Sequence, residues 1–350
     1  MSTKRIPYID LIKVIAIFMV ITLHNGTWYT DFITTGSLQN VIQYCARLFC
    51  EGVPVFMLIN GFLMFDKKFD AKKHARRTLN VVLILIIWSI ILDVSLTLIR
   101  NEPLSVLGIL TSVLETNISN THTGILWFLQ KLVVVYIVFP VLKYLYDTQP
   151  KLFNYLLLVL IISTYSINLI SLIAGIFENS ILNSVYFFFN QYSLPFATNI
   201  YVIYFMLGGY IYKNADVMSK KKYFVLGIAC VFIACAIGIF ASFYKGTTYS
   251  NSFNYSQIFL MFTVIGMFFV CSRIPLNNSF VNKILASIGD NTMGIYLLHI
   301  IIISLIYKYN ILPTDSLVSR LIMAFAVLLI SWCIAVLIRK IPKISFIIKL

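Results

Sequence analysis

Apolar runs of about twenty residues recur along this chain and constrain its fold more than any other feature. Folded as an α-helix, a run of this length spans the hydrocarbon core of a bilayer, which is about 30 Å thick. The sequence predicts an all-α, polytopic membrane bundle in which residues 1–350 form a single transmembrane domain. The ten predicted spans have the approximate limits 9–28, 48–66, 79–99, 124–142, 152–174, 196–213, 222–244, 255–272, 285–307 and 318–338.

The composition excludes a soluble domain of useful size. Of the 350 residues, 60% are hydrophobic and only 11% are charged, and the mean hydropathy is +0.90. Soluble domains are nearer half apolar and a quarter charged. The first apolar run is long and ends at no small-residue cleavage site, so we expect no cleavable signal peptide.

The basic residues predict the orientation of the bundle. The formal net charge is +14, but 20 of the 27 Lys and Arg residues fall in alternate connections, taken here as cytoplasmic, and five fall in the others. This asymmetry follows the positive-inside rule and places both termini in the cytoplasm. The positive charge therefore indicates contact with a lipid bilayer, and we expect no nucleic-acid partner.

Two ionisable residues share one face of the first span. Lys13 and His24 are eleven residues apart, close to three helical turns or about 16 Å along the axis, and Asp10 lies on the same stripe and can pair with Lys13. Ionisable groups inside a span usually face a protein interior or a water-filled cavity. A neutral imidazole there is suited to act as a general base near pH 7. Snorkelling of Lys13 and a simple hydrogen bond of His24 are the structural alternatives.

Charged residues near the second and third spans are further candidates. Glu51 lies at about the depth of His24 and could orient or stabilise its imidazole, or it faces water at the interface. Lys73, Arg76 and Arg77 precede the third span. Such a cluster binds the phosphates of a nucleotide donor, or it fixes topology and contacts anionic lipid.

Asp10 on the first span and four residues in later spans are candidates for substrate binding. Trp127 begins the fourth span and fits an interfacial aromatic belt, and Lys131 follows it. Asp93, in the third span, is the expected counter-charge of Lys131, and a polar substrate reaches this depth from outside. His299 lies near the middle of the ninth span, either as a hydrogen-bonded structural residue or as part of the site.

Several kinds of function find no support in the sequence. It contains no metal-ligand spacing, Walker loop, GxGxxG or GxSxG motif, and its six cysteines form no CxxC pair. These observations argue against an ATP-driven pump and an embedded serine hydrolase. We expect no metal site, and the cysteines are expected to be small buried hydrophobes.

Four blocks in order resemble the acyltransferase 3 family of membrane acyltransferases. They are Asp10-x-x-Lys13 with ten residues before His24, the stretch from Gly52 to Leu63, the stretch from Leu126 to Pro140, and Gly289 to Tyr296-Leu297-Leu298-His299. The second block departs from the family pattern, because Asn60 stands where Ser is usual. The resemblance covers about residues 10–300.

The resemblance implies an enzyme that moves an acyl group, most often acetyl, from cytoplasmic acyl-CoA to an acceptor at the membrane. Acceptors in the family are commonly hydroxyls of envelope polysaccharides or lipid-linked sugars. His24 is then catalytic with Lys13 as its partner, acetyl-CoA is the co-substrate, and Lys73, Arg76 and Arg77 contact the donor. The expected location is the plasma membrane.

Two other functions remain open from the sequence. A transporter or flippase for a small polar or glycan substrate uses the same kind of cavity. A subunit that acts only by interaction needs no reactive histidine. The stripe of Lys13 and His24 separates these possibilities, because an acyltransferase needs His24 whereas a flippase tolerates its loss.

Overall fold

A computed structural model describes residues 5–26, 33, 36–47, 52–114, 122–191, 200–215, 220–246, 255 and 258–349. Every regular element in these residues is helical, as the sequence predicted. The α-helices are α1 Pro7–His24, α2 Leu38–Arg47, α3 Gly52–Phe65, α4 Ala71–Arg100, α5 Val106–Leu114, α6 Trp127–Thr148, α7 Pro150–Phe177, α8 Ser180–Asn190, α9 Ile200–Lys213, α10 Lys221–Lys245, α11 Ile258–Ser272, α12 Ser279–Asp290, α13 Thr292–Lys308 and α14 Leu317–Arg339. Short 3₁₀ turns cover Gly124–Leu126 and Ser345–Ile348.

Six helices are long and apolar enough to cross a membrane, and the pair α12 and α13 makes a seventh if it counts as one span. The other three predicted spans correspond to α3, α9 and α11, which have 14, 14 and 15 described residues. At 1.5 Å per residue these helices are about 21–23 Å long, less than a full hydrocarbon core. The sequence located these apolar segments, and the ten-span count is larger than the described helices support.

The span predicted at 285–307 is sharply bent. Helices α12 and α13 meet at 71° around Asn291. The Asn291 side chain is buried and donates to the Ser287 carbonyl at 2.7 Å, which draws it back onto α12. Side chains that bond to the backbone at a helix junction are a common cause of such bends. The bend separates α12 from α13, the helix that carries His299.

The chain forms two compact units, each assembled from separate stretches of sequence. The first unit comprises Met1–Thr27, Phe69–Pro140 and Asn277–Leu350, and the second comprises Trp28–Lys68 and Val141–Leu276. The first contains α1, α4, α5, α12, α13, α14 and most of α6, and the second contains α2, α3 and α7 to α11. The single domain stays a prediction.

The second unit is held together by close helix packing and aromatic rings. A Cβ on Gly61 would lie 1.9 Å from the Phe205 carbonyl oxygen, and one on Gly208 would lie 2.0 Å from that of Leu58. These glycines let the backbones of α3 and α9 touch, as small residues do in membrane helix pairs. Beside them the Phe65 ring packs 5.3 Å from that of Phe205.

Candidate active site

Two histidines from distant parts of the sequence meet in the first unit. His24 is the last residue of α1, and His299 lies in the middle of α13. The His299 Nε2 atom is 3.4 Å from His24 Nδ1, and the ring centroids are 5.0 Å apart. His299 is fully buried, whereas His24 keeps exposed surface. His24, on the predicted polar face of α1, therefore contacts His299, and the sequence did not predict this contact.

Backbone contacts assign the hydrogens on these two rings. His24 Nδ1 lies 2.8 Å from the Val20 carbonyl oxygen, and His299 Nδ1 contacts the Tyr296 carbonyl oxygen. A carbonyl oxygen only accepts hydrogen bonds, so each Nδ1 carries a hydrogen. In the neutral rings the lone pairs are then on the Nε2 atoms. The Nε2 lone pair of His299 faces His24. The Nε2 lone pair of His24 is the one suited to take a proton from a substrate.

Hydrogen bonds beyond the end of α1 fix the backbone that carries His24. The Asn25 side-chain amide donates to the Arg320 carbonyl at 2.8 Å, and the Tyr307 hydroxyl donates to the main-chain carbonyl of Asn25 at 2.9 Å. Arg320 in turn donates to the Gly26 carbonyl at 2.6 Å. Residues of α13 and α14 thus fix Asn25 and Gly26, which follow α1. This restrains the imidazole of His24, the last residue of α1.

At the other end of α1, Asp10 pairs with Arg5 rather than with Lys13. The Arg5 guanidinium lies 2.6 Å from Asp10 and 3.0 Å from Asp290, so it bridges two carboxylates. The hydrogen bonds that Arg5 donates, first to Asp10 and then to Asp290, raise the pKa of Arg5 above its usual value. The planar, many-donor guanidinium suits this bridge better than an ammonium group does. Lys13 lies half-buried on α1.

Asp93 also has partners other than the predicted one. It is buried on α4, where the Ser112 hydroxyl donates to it at 2.8 Å and His122 Nδ1 lies 2.9 Å away. His122 Nε2 is 3.1 Å from Glu102, so the imidazole lies between two carboxylates. Lys131 is exposed on α6 and is not the counter-charge of Asp93. No spacing in the sequence linked His122 to Asp93, 29 residues away.

The predicted donor-binding residues border one cavity on α4. Its volume is about 350 Å³, and it is lined by Lys73, Arg76, Arg77, Leu79, Asn80 and Leu83. Lys73 is highly exposed and 3.5 Å from Asp70, the capping residue of α4. A basic rim with an apolar wall suits a ligand that joins phosphates to a less polar group.

The last two predicted site residues are Trp127 and Glu51. Trp127 is half-buried at the start of α6, and the preceding turn is attached to α13 because the Tyr296 hydroxyl donates to the Ile125 carbonyl. Glu51 lies outside the described residues. In the part of the chain that the structure describes, no group of three or more His, Cys, Asp or Glu side chains is placed to hold a metal ion.

A family model described as an acyltransferase domain matches residues 6–336. This chain belongs to the acyltransferase 3 family. The match extends over nearly the whole sequence and includes both His24 and His299. Comparisons with curated proteins and with solved structures gave no match. Family membership and the long apolar helices together identify a multi-pass membrane acyltransferase.

Proposed function

We propose that this protein moves an acetyl group from cytoplasmic acetyl-CoA to a hydroxyl of a cell-envelope polysaccharide or lipid-linked sugar at the plasma membrane. His24 is the general base in this proposal. The observation that carries it is the hydrogen bond of His24 Nδ1 to the Val20 carbonyl, because it leaves the Nε2 lone pair for the acceptor. Family membership supports the reaction class and does not favour the transporter alternative.

The reaction needs one proton relay at His24. Nε2 takes the proton from the acceptor hydroxyl as its oxygen attacks the thioester carbonyl. The C–S bond then breaks, and the leaving thiolate recovers the proton from the imidazolium. During this step the His24 Nδ1–H stays donated to the Val20 carbonyl, and His299 Nε2, 3.4 Å from Nδ1, is a weaker second acceptor that helps to keep the ring in its reactive orientation. Direct transfer of this kind requires no acyl-enzyme.

The other candidates take supporting roles in the proposal. The cavity bordered by Lys73, Arg76 and Arg77 binds the phosphates of the donor. Lys13, about three turns from His24 on α1, contacts the polar part of the donor arm. Trp127 and Lys131 contact the acceptor. Asp10 and Asp93 act indirectly, because Asp10 is held in an ion pair with Arg5 and Asp93 is held by Ser112 and His122.

The test of the base is His24→Gln, measured as acetyl transfer from labelled acetyl-CoA to envelope glycans in membranes. We expect a loss of about 10³-fold, within the usual range for removal of a general base, with unchanged protein level and CoA binding. The matched control is His74→Gln, because His74 bonds to the Tyr136 carbonyl away from His24 and Gln keeps an N–H donor. Acetyl transfer retained by His24→Gln would reject the proposal.

His299 is tested as a positioning residue with two variants. Gln retains an acceptor near the Nε2 position, whereas Leu does not. We expect His299→Leu to lower kcat by about 10- to 100-fold with little change in KM, and His299→Gln to recover part of the loss. Equal activity of the two variants would show that the contact with His24 is structural only.

A further inference from the structure

Residues 345–349, part of a segment 341–349 that follows α14, lie against α4, the helix that carries the basic cavity. The Asn80 side-chain amide donates to the Lys349 carbonyl at 2.7 Å, and the Trp88 indole N–H donates to the Ile347 carbonyl at 2.8 Å. Asn80 is itself part of the cavity lining. Both acceptors are main-chain carbonyls. These hydrogen bonds therefore do not depend on which side chains the segment carries.

The segment is packed as well as hydrogen-bonded. Ile348 is 2% exposed in the 3₁₀ turn Ser345–Ile348. A Cβ on Gly294 of α13 would lie 3.5 Å from Ile348 and 2.8 Å from Ala335 of α14, so this glycine makes room for the turn. Residues 345–349 therefore lie against α4, α13 and α14. Of these, α13 also carries His299.

The charge of the segment matches that of the cavity. No acidic residue follows Asp315, whereas Lys340, Lys343 and Lys349 lie in or just before the segment. The Lys349 ammonium donates to the Ser345 hydroxyl at 2.9 Å. Among the ion pairs of the described residues, the basic residues of the cavity take part in one, that of Lys73 with Asp70. The positive charge of the segment adds to that of the cavity rim in attracting a polyanion.

We propose that the C-terminal segment 341–349 forms one side of a phosphate-binding site whose other side is the cavity of Lys73, Arg76 and Arg77. Asn80 and Trp88 hold the segment in place through its main chain. That the phosphates belong to acyl-CoA rests on the proposed function. An anionic lipid headgroup offers the same chemistry, and Leu79 and Leu83 offer it an apolar wall.

The test uses the full-length protein in nanodiscs of phosphatidylcholine, with CoA as the soluble probe and phosphatidylglycerol nanodiscs as the lipid probe. Two variants disturb the segment: a chain ended after Lys340, and Asn80→Leu with Trp88→Phe. The double variant keeps every charge, so a loss of binding there is not a loss of positive charge. Trp88→Phe alone leaves the cavity lining unchanged, so its share of the loss reports the position of the segment. The control replaces the three exposed lysines Lys220, Lys221 and Lys222 by Ala, which removes comparable charge from the second unit.

We expect CoA affinity to fall at least about tenfold in both segment variants and to change less than about twofold in the control. If the wild type binds no CoA but its enrichment of phosphatidylglycerol is lost in both variants, the ligand is lipid. The donor assignment under the proposed function then fails while the site remains. Unchanged affinity for both probes in the double variant overturns the inference. A lower melting temperature with unchanged affinity does the same, because the segment is then structural only.

Discussion

The two units of this protein use polar groups in different ways. All four histidines, His24, His74, His122 and His299, fall in the first unit, where His122 lies between two carboxylates and His24 meets His299. In the second unit, backbones touch at glycines and rings cluster around Phe65.

The second unit does contain a buried charge, and its setting shows the contrast. The Lys143 ammonium donates to the Phe65 carbonyl at 2.8 Å and to Asp147 at 2.7 Å, near the end of α3. Lys143 thus supplies a hydrogen-bond donor to a carbonyl at the C-terminus of α3, which is a structural role. Polar groups inside a membrane protein are expensive unless paired. Those that link distant helices in the first unit are therefore the better guide to function.

The largest effect is expected where the second unit relies on backbone contact. Gly208→Ala places a methyl 2.0 Å from the Leu58 carbonyl oxygen, and the contact is with backbone, so α3 and α9 must separate. We expect a loss of about 3 kcal/mol in stability, the upper part of the usual range for overpacking. Thermal unfolding in detergent measures it. Gly108→Ala on α5 is the control, because nothing lies within 3.4 Å of its Cβ. Equal melting temperatures would break the contrast between the units.

A somewhat smaller effect is expected where the first unit relies on charge. Arg5→Gln leaves the buried Asp10 carboxylate without its cation, while the Arg5 side chain itself is 48% exposed. Removing one partner of a fully buried pair costs about 3–5 kcal/mol, and the exposure of Arg5 reduces the expected loss to about 2 kcal/mol. Chemical unfolding followed at several salt concentrations measures it. Lys245→Gln in the second unit breaks a pair with the exposed Glu178 and should change stability less. The reverse order would show that Asp10 is solvated after all.

A glycine that faces a movable side chain sharpens the first comparison. A Cβ on Gly238 would lie 2.7 Å from the Tyr44 hydroxyl, the far end of a side chain. Tyr44 can shift where the Leu58 backbone cannot, so Gly238→Ala should cost only about 1 kcal/mol. Its melting temperature is compared with that of Gly208→Ala. A larger loss at Gly238 would mean that the ring of Tyr44 is held rigidly.

The smallest effect is expected at the exposed start of α4. The backbone N–H of Lys73 is the main cause that lowers the pKa of Asp70 below 3.8, with a smaller contribution from the Lys73 charge. A lowered carboxyl pKa stabilises the fold above the ordinary value, and this contribution is lost as pH falls through the lowered value. Asn also caps helices but carries no charge. Asp70→Asn should therefore melt slightly below wild type at pH 7 and together with it near pH 3. A difference that grew at low pH would contradict this assignment.

Much of the fold follows from the sequence, and the pairing of its polar groups does not. The apolar runs located the helices because length and hydropathy are local properties. Asp10 and Asp93 were expected to pair with lysines nearby in sequence or depth, yet they pair with Arg5 and His122. Hydropathy says how deep a charge lies but not which way its helix faces. That rotation is set by packing against neighbouring helices.

The sequence by itself determined an all-helical membrane protein with a histidine eleven residues beyond a lysine, because helical periodicity and apolar length are written in consecutive residues. Only the tertiary structure decided that His299, 275 residues away, lies against His24, and that Lys349 lies against Asn80. Contacts over such separations depend on how the helices pack, and no local pattern encodes that.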